Sequence, residues 1–466
     1  MKNSLLNLLF IFGLLLSISS CESDDNEPLK AEKGEELLGG EATIFDQSPN
    51  AFIYQIPGLS DNDGLLFFVG NSFFNQNWVS SPASTKARDG LGPVFNARSC
   101  AGCHFKDGRG RPPAFDGETA TGMLLRLSID GQGSHGEPVP EPTYGGQFQD
   151  NSILGVMKEG GFEILYSEVE GKYPDGTSYS LRKPHYQFVN LEYGEMSSAV
   201  KISPRVAPQM IGLGLLEAIS EETILRNADE DDVDNDGISG RPNYVWDVLN
   251  KKTTLGRFGW KANEPNILQQ SAGAFSGDMG ITTFVFPDEN CPHGVNCDTL
   301  PNGGKPEIDD DDLLKVVLYS STLAVPAQRD VNDPNVLKGR QLFEKTGCVK
   351  CHIPKVQTGI HPTIDGLSNQ TIRPYTDLLL HDMGEDLADF RPDFQANGKE
   401  WRTPPLWGIG LFNVVNGHTF YLHDGRARNI EEAILWHGGE AENIKKKFME
   451  LSKDERSKLI RFLESL

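Results

Sequence analysis

Asp333-Pro-Asn-Val-Leu-Lys-Gly-Arg-Gln-Leu-Phe-Glu-Lys-Thr-Gly-Cys-Val-Lys-Cys-His352 is the stretch from which the rest of the chain can be read. Asp333 is an N-cap and Pro334 suits the first helical position, so a helix is predicted to start here. Gly339 and Phe343 are four residues apart and share one face of that helix. Cys348-Val-Lys-Cys-His352 follows five residues after Phe343. Two thiols three residues apart on one turn can add to the two vinyl groups of a porphyrin. The adjacent His then lies under the iron as its proximal ligand. The chain ends with Ser452-Lys-Asp-Glu455, a capping box, and behind it Leu459, Phe462, Leu463 and Leu466 form one apolar stripe.

A second C-x-x-C-H motif stands at Cys100-Ala-Gly-Cys-His104. The expectation is two covalently bound haem c groups, attached through Cys100 and Cys103 and through Cys348 and Cys351, with His104 and His352 on the irons. A zinc or thioredoxin-like use of either motif is the competing reading. Two amphipathic helices around C-x-x-C-H resemble the crossing terminal helices of cytochrome c. The first half repeats the theme loosely. Gly70 and Phe74 have the spacing of Gly339 and Phe343, Arg205-Val-Ala-Pro208 echoes Arg402-Thr-Pro-Pro405, and Asp278-Met-Gly280 echoes Asp382-Met-Gly384. The fold expected is mainly α with long loops, in two cytochrome c-like haem domains. The N-terminal domain, 46–328, is heavily inserted, and the C-terminal one is 329–466.

The chain has 466 residues, a formal charge of −23, 49 Gly and 28 Pro, which points to a loop-rich globular protein. So acidic a chain lacks the basic face that nucleic acid or an anionic membrane requires. Lys2 and the apolar run Leu5–Leu16 precede Ile18-Ser-Ser-Cys21, which reads as a lipoprotein signal over 1–21 ending on a lipid-modified Cys21. An ordinary signal peptide with a chance Cys is the alternative. Residues 22–45 read as an acidic tether. The location expected is the cell envelope, periplasmic or outer-membrane-associated, with membrane contact through lipid alone. Leu313–Ala327 is apolar but interrupted by Lys315, so it reads as a buried helix. Cys291 and Cys297 remain, for a local disulfide or, with His293, a metal.

Four further segments carry a family resemblance: Phe95-Asn-Ala-Arg-Ser-Cys100 through Asp107-Gly-Arg-Gly-Arg-Pro-Pro113, Ser203-Pro-Arg-Val-Ala-Pro208, Leu379-Leu-His-Asp-Met-Gly384, and Leu422-His-Asp-Gly-Arg-Ala427 with Glu432-Ala-Ile-Leu-Trp-His-Gly-Gly439. With these the chain resembles the di-haem oxidoreductase family over roughly residues 45–466. More distantly it is similar to bacterial di-haem cytochrome c peroxidases and to the di-haem enzymes that mature methylamine dehydrogenase. The resemblance implies a peroxidase that takes electrons from a donor protein (a small cytochrome or cupredoxin) through the C-terminal haem. It implies that hydrogen peroxide is met at the N-terminal haem.

The same likeness orders the candidate ligands. In the peroxidases the C-terminal haem's distal ligand, a Met, lies fourteen residues after the His of a His-Asp-Gly motif. His423 is that His here, so His437 takes the ligand position, ahead of His381 and Met383. His423 and Arg426 are then expected near the propionates. The relatives' displaceable His before Arg-x-Ala-Pro is missing, since 190–204 contains none. His185, His135 and Met196 are weaker candidates, and an open or water-bound N-terminal iron is expected. Arg205 and Glu217 stand where the relatives keep their distal groups. Glu217 is therefore expected to be the acid–base and Arg205 the cation that peroxide chemistry needs. The relatives' inter-haem Trp motif is absent from the first half, which leaves Trp407 or Trp436 as a bridge. Asp232-Val-Asp234-Asn-Asp236-Gly237 matches the first half of a calcium loop, although Asn243 stands where a bidentate Glu belongs. A solvated acidic loop is the alternative there. Two rival functions stay open: a non-catalytic electron-transfer cytochrome, and an oxidase of a protein partner.

Overall fold

The computed structural model describes residues 29–113, 118 and 122–466. The lipoprotein signal and the first part of the expected tether lie outside the described residues. The rest of that tether is not free chain. Leu38 and Ala42 are buried, Glu35 pairs with Arg340, and Thr43–Ile44 form a parallel bridge with Val325–Pro326.

The helices that matter here are α1 (Asp61–Asn75), α2 (Ile267–Met279), α3 (Asp310–Ser321), α4 (Pro334–Thr346), α5 (Ile430–Leu435) and α6 (Lys453–Ser465). Asp333 caps α4 by accepting from Asn335 N, and Ser452 with Glu455 closes the capping box of α6. α4 crosses α6 at Gly339. A Cβ there would lie 2.0 Å from Lys458 O, so only Gly lets the backbones approach this closely. α1 crosses α3 in the same way, with a Cβ on Gly70 falling 2.1 Å from Lys315 O. Each C-x-x-C-H motif therefore has its own helix crossing. The partner in the first half is α3, which covers the first part of the apolar stretch 313–327; the helix expected there ends at Ser321, and Val325–Pro326 are extended.

The expectation of a mainly α protein is corrected by the strands. Among the described residues helix accounts for 29% and strand for 19%, spread over many small sheets. β1 (Met123–Gln132) pairs antiparallel with β4 (Lys201–Val206), register Met123↔Val206 to Ser128↔Lys201. Between them β2 (Gly161–Lys172) and β3 (Ser178–Val189), twelve residues each, make a hairpin closed by Tyr173-Pro-Asp-Gly-Thr177. Its tip reaches the second half of the chain. Tyr173 Oη donates to Glu431 Oε1 at 2.6 Å, Arg456 Nη2 to Asp175 Oδ2 at 2.7 Å, and the Arg456 guanidinium lies 3.8 Å from the Tyr173 ring centroid. Along the shaft Arg182 reaches Gly425 O, and Arg428 reaches Ser180 O.

The largest apolar cluster joins Leu215, Ile219 and Leu255 of the first half to Phe343, Trp407 and Phe462 of the second. A second cluster gathers Phe67, Phe74, Trp78, Phe275 and Tyr319 around the α1–α3 crossing. Cys291 and Cys297 form a disulfide. Among the described residues no helix is long and apolar enough to cross a membrane.

Candidate functional site

Two cavities flank the C-x-x-C-H motifs. The first is lined by Cys100, Cys103 and His104 and encloses about 1500 Å³ of empty space, its mouth included. The second is lined by Cys348, Cys351 and His352 and encloses about 1390 Å³. All four thiols are free. Ser99 caps the turn Cys100–Cys103 by accepting from Gly102 N, which sets the two thiols and His104 on one short helical turn. His104 Nδ1 is 2.7 Å from Pro208 O, and His352 Nδ1 is 2.9 Å from Tyr375 O. Burial pushes both imidazoles down to about 4, so each ring is neutral. With Nδ1–H given to a carbonyl, Nε2 keeps its lone pair for a metal. Phe74 packs against His104 at 6.1 Å and Phe343 against His352 at 6.2 Å between ring centroids. The residues present thus fit a haem twice over: two thiols, a pre-set neutral imidazole and an apolar cavity.

The second cavity brings together His437, His381 and Met383, the candidates for the C-terminal haem's sixth ligand. His437 Nδ1 is 2.7 Å from Ala433 O, which leaves Nε2 with the lone pair, and burial keeps the ring neutral. His381 is committed elsewhere: Nε2 lies 2.8 Å from Asp377 Oδ2 and Nδ1 2.7 Å from Glu440 Oε2. Burial is the largest influence and opposes its charge, but Asp377 and Cys351 together outweigh it and hold the imidazole well above its usual range. A ring with both nitrogens bonded to carboxylates is not a free ligand. Met383 lines the cavity and packs with Trp401 and Trp260. His423 stacks on Trp401 at 3.7 Å, and burial pushes it down to about 3. On that same Trp401 ring rests the Lys261 ammonium at 4.4 Å, itself fully buried and paired with Asp389 at 2.9 Å. Arg426 is turned toward Asp424 and Asp386 O rather than into the cavity.

The first cavity has a different character. His104 is the one imidazole among its lining residues, and Met210 and Met279 belong to the aromatic cluster around Phe74 and Phe275. Among its mostly apolar lining stand polar groups that include Arg126, Arg205, Asn263, Gln270 and Asp278. Gln270, Ala274 and Asp278 recur every four residues, so one face of α2 forms a wall. Asp278 receives a hydrogen bond from Gln147 Nε2 at 2.8 Å, and burial raises its carboxyl above the usual range. Arg205 lines the cavity as expected from the sequence, its guanidinium held by Asp393 at 2.7 Å and by Ser203 at 3.0 Å. Glu217 does not reach the cavity. Its Oε1 accepts from Ile267 N at 2.8 Å, capping α2, and its Oε2 lies 3.4 Å from His361 Nε2. His135 stacks on Trp246, His185 bonds Ser167, and Met196 packs in the cluster of Tyr144. None of the three lines the cavity.

Gln209, Trp260, Arg402, Pro404 and Pro405 line both cavities. Trp260 is therefore the indole between the two sites, with its Nε1 donating to Val206 O at 2.8 Å and the Arg109 guanidinium 5.0 Å from its ring. Trp407 and Trp436, favoured from sequence, are buried but line neither cavity. In the acidic loop the carboxylates that converge are Asp229, Asp232 and Asp234, within 4.8 Å of one another. Asp236 turns away to pair with Lys350, inside the second C-x-x-C-H motif.

The family described as "Di-haem oxidoreductase, putative peroxidase" matches residues 34–466. The chain belongs to this family. Comparison with curated proteins finds no match. Among solved structures, this di-haem oxidoreductase is similar to a chain of Kuenenia stuttgartiensis hydrazine synthase at 15% identity and TM-score 0.33, over 88% of this chain and 93% of that one. A likeness at that level carries no argument about chemistry.

Proposed function

We propose that this oxidoreductase is an extracytoplasmic, lipid-anchored c-type enzyme that reduces hydrogen peroxide at its N-terminal haem. Electrons enter at the C-terminal haem from a small donor protein, a cytochrome or cupredoxin. The asymmetry of the two cavities carries this reading: one holds a neutral His437 with a free Nε2, and the other holds Asp278 beside Arg126 and Arg205, with no imidazole besides His104 among its lining residues. Cys100, Cys103 and His104 hold one haem, and Cys348, Cys351 and His352 the other. Haem supplies one-electron redox chemistry and, where a coordination position is open, a place for peroxide to bind.

The chain's own groups do the rest. Asp278 takes the proton from one peroxide oxygen and returns it to the other. Arg126 and Arg205 stabilise the charge that develops on the leaving oxygen. Trp260, walled by both cavities, fills the space through which electrons pass. His437 closes the C-terminal site against exogenous ligands. Asp229, Asp232 and Asp234 hold calcium next to the C-terminal motif. The placement in the envelope rests on Ile18-Ser-Ser-Cys21 and on the compartment in which haem c is attached.

Cyanide titration followed by EPR tests the proposal. One haem is expected to bind cyanide, the one attached through Cys100 and Cys103, while the other keeps its low-spin signal. Two inert low-spin haems would replace the peroxidase with an electron-transfer cytochrome.

A further inference from the structure

The two helix crossings are built alike, which makes their differences informative. At the C-terminal crossing a Cβ on Gly339 would meet Phe462 Cβ at 2.7 Å, and at the N-terminal crossing a Cβ on Gly70 would meet Tyr319 Cβ at 2.8 Å. Tyr319 and Phe462 thus hold equivalent places. Three residues beyond the proximal His, Asp107 stands in the first half and Lys355 in the second. The first half has therefore gained a hydroxyl and a carboxylate together, and they meet: Tyr319 Oη donates to Asp107 Oδ2 at 2.7 Å. Both side chains are buried, and Asp107 Oδ1 has no hydrogen-bond partner among the described residues. Burying an acid with a bare oxygen is costly for a purely structural contact that Phe462 replaces with plain packing.

The location is next to the haem site. The Tyr319 ring centroid is 5.2 Å from that of Phe74, which is 6.1 Å from that of His104. Its neighbours on α3, Val316 and Ser320, line the first cavity. Burial pushes the phenol far above its usual pKa, and the 2.7 Å hydrogen bond to Asp107 gives its proton a place to go when an electron leaves.

We propose that Tyr319 is a one-electron store beside the N-terminal haem, with Asp107 as its proton acceptor. One electron passes from the phenol to the oxidised N-terminal haem, and the O–H proton crosses to Asp107 Oδ2. The products are a neutral tyrosyl radical, a protonated Asp107 and a haem reduced by one equivalent. An electron from the donor reverses the step. The store would hold an oxidising equivalent whenever peroxide arrives before the donor does. This rests on the Cys100–His104 cavity being a haem site and not on peroxide being the oxidant.

The test treats holoprotein in parallel with hydrogen peroxide and with a photogenerated ruthenium(III) oxidant, then reads frozen samples by EPR. Ring-deuterated tyrosine should narrow the radical signal. Tyr319→Phe should lower that signal at least tenfold, and Tyr375→Phe, beside the other haem site and with no carboxylate hydrogen-bonded to its hydroxyl among the described residues, should not. Asp107→Asn should also abolish it while both haem spectra are kept; if Tyr319→Phe fails to fold, this variant decides. A signal with ruthenium but not with peroxide refutes the peroxide reading and leaves Tyr319 standing. A signal that survives Tyr319→Phe or Asp107→Asn, or no tyrosyl signal with either oxidant, overturns the proposal.

Discussion

Replacing Asp278 with Asn separates chemistry from structure at the first cavity. Among the described residues the carboxyl receives a single side-chain hydrogen bond, from Gln147 Nε2 at 2.8 Å. An Asn oxygen can accept that same bond, so folding stability should change by no more than about 1 kcal/mol. The ability to take up a proton and hand it back is lost. General acid–base catalysis contributes at least about a hundredfold, so the reaction with peroxide should slow by that factor, equivalent to about 2.7 kcal/mol of barrier. The assay is stopped-flow absorption of the haem bands on mixing with peroxide, with cyanide binding as the control that the iron remains accessible. Glu217→Gln is the companion variant. Its side chain caps α2 at Ile267 N, away from the cavity. A Gln oxygen keeps the bond, so the peroxide rate should stay at the wild-type value. If Asp278→Asn reacts within about threefold of wild type, or Glu217→Gln is the slow protein, the proton carrier has been misplaced.

Intact mass should exceed the polypeptide by two haems, and Cys348→Ala with Cys351→Ala should leave one; two haems in that double variant would rule out the attachment site. His437→Gly should turn the C-terminal haem high-spin, whereas His437→Met should keep it low-spin at a higher reduction potential, since thioether sulfur favours ferrous iron. Unchanged EPR in His437→Gly would move the ligand to Met383. Chelation should lower the melting temperature of the wild type and leave an Asp232→Ala protein unmoved, because an ion that binds only folded protein stabilises it by mass action. An equal response in both proteins would place any ion elsewhere.

What the sequence made legible was local. Gly339 and Phe343 sit one turn apart ahead of Cys348, and Ser452 and Glu455 cap the last helix, so the C-terminal helix pair could be read from spacing alone. The equivalent pair in the first half could not. Its second helix, α3, begins 207 residues after the Cys103 thiol, beyond the reach of any local pattern. The strands were missed for a different reason. Tyr173-Pro-Asp-Gly-Thr177 is a turn signal of the kind that closes hairpins, and it outweighs the helical expectation set by the haem motifs. Asp278 was visible as an echo of Asp382, but its place in the cavity wall comes from the four-residue recurrence with Gln270 and Ala274, which puts all three on one helix face. Glu217 stands where the relatives keep a distal group, and position along the chain is all that a resemblance conveys. Tertiary structure spends that carboxylate on the α2 N-terminus instead. Trp260 has no sequence signal, since only the fold makes one indole border two cavities.

The shared walls also bear on ancestry. Arg109, Gln209 and Trp260 come from the first half of the chain yet border the cavity of the second. The hairpin from the first half is bolted to α5 and α6 of the second through Tyr173 and Asp175. If the molecule arose by doubling of a small one-haem ancestor, the copies have since become mutually dependent. A fragment beginning at residue 329 would lack three of its own cavity's border residues, so the modules can no longer be shuffled between proteins one at a time. Supplied as separate polypeptides, the two halves should instead find each other, with the hairpin as the clasp.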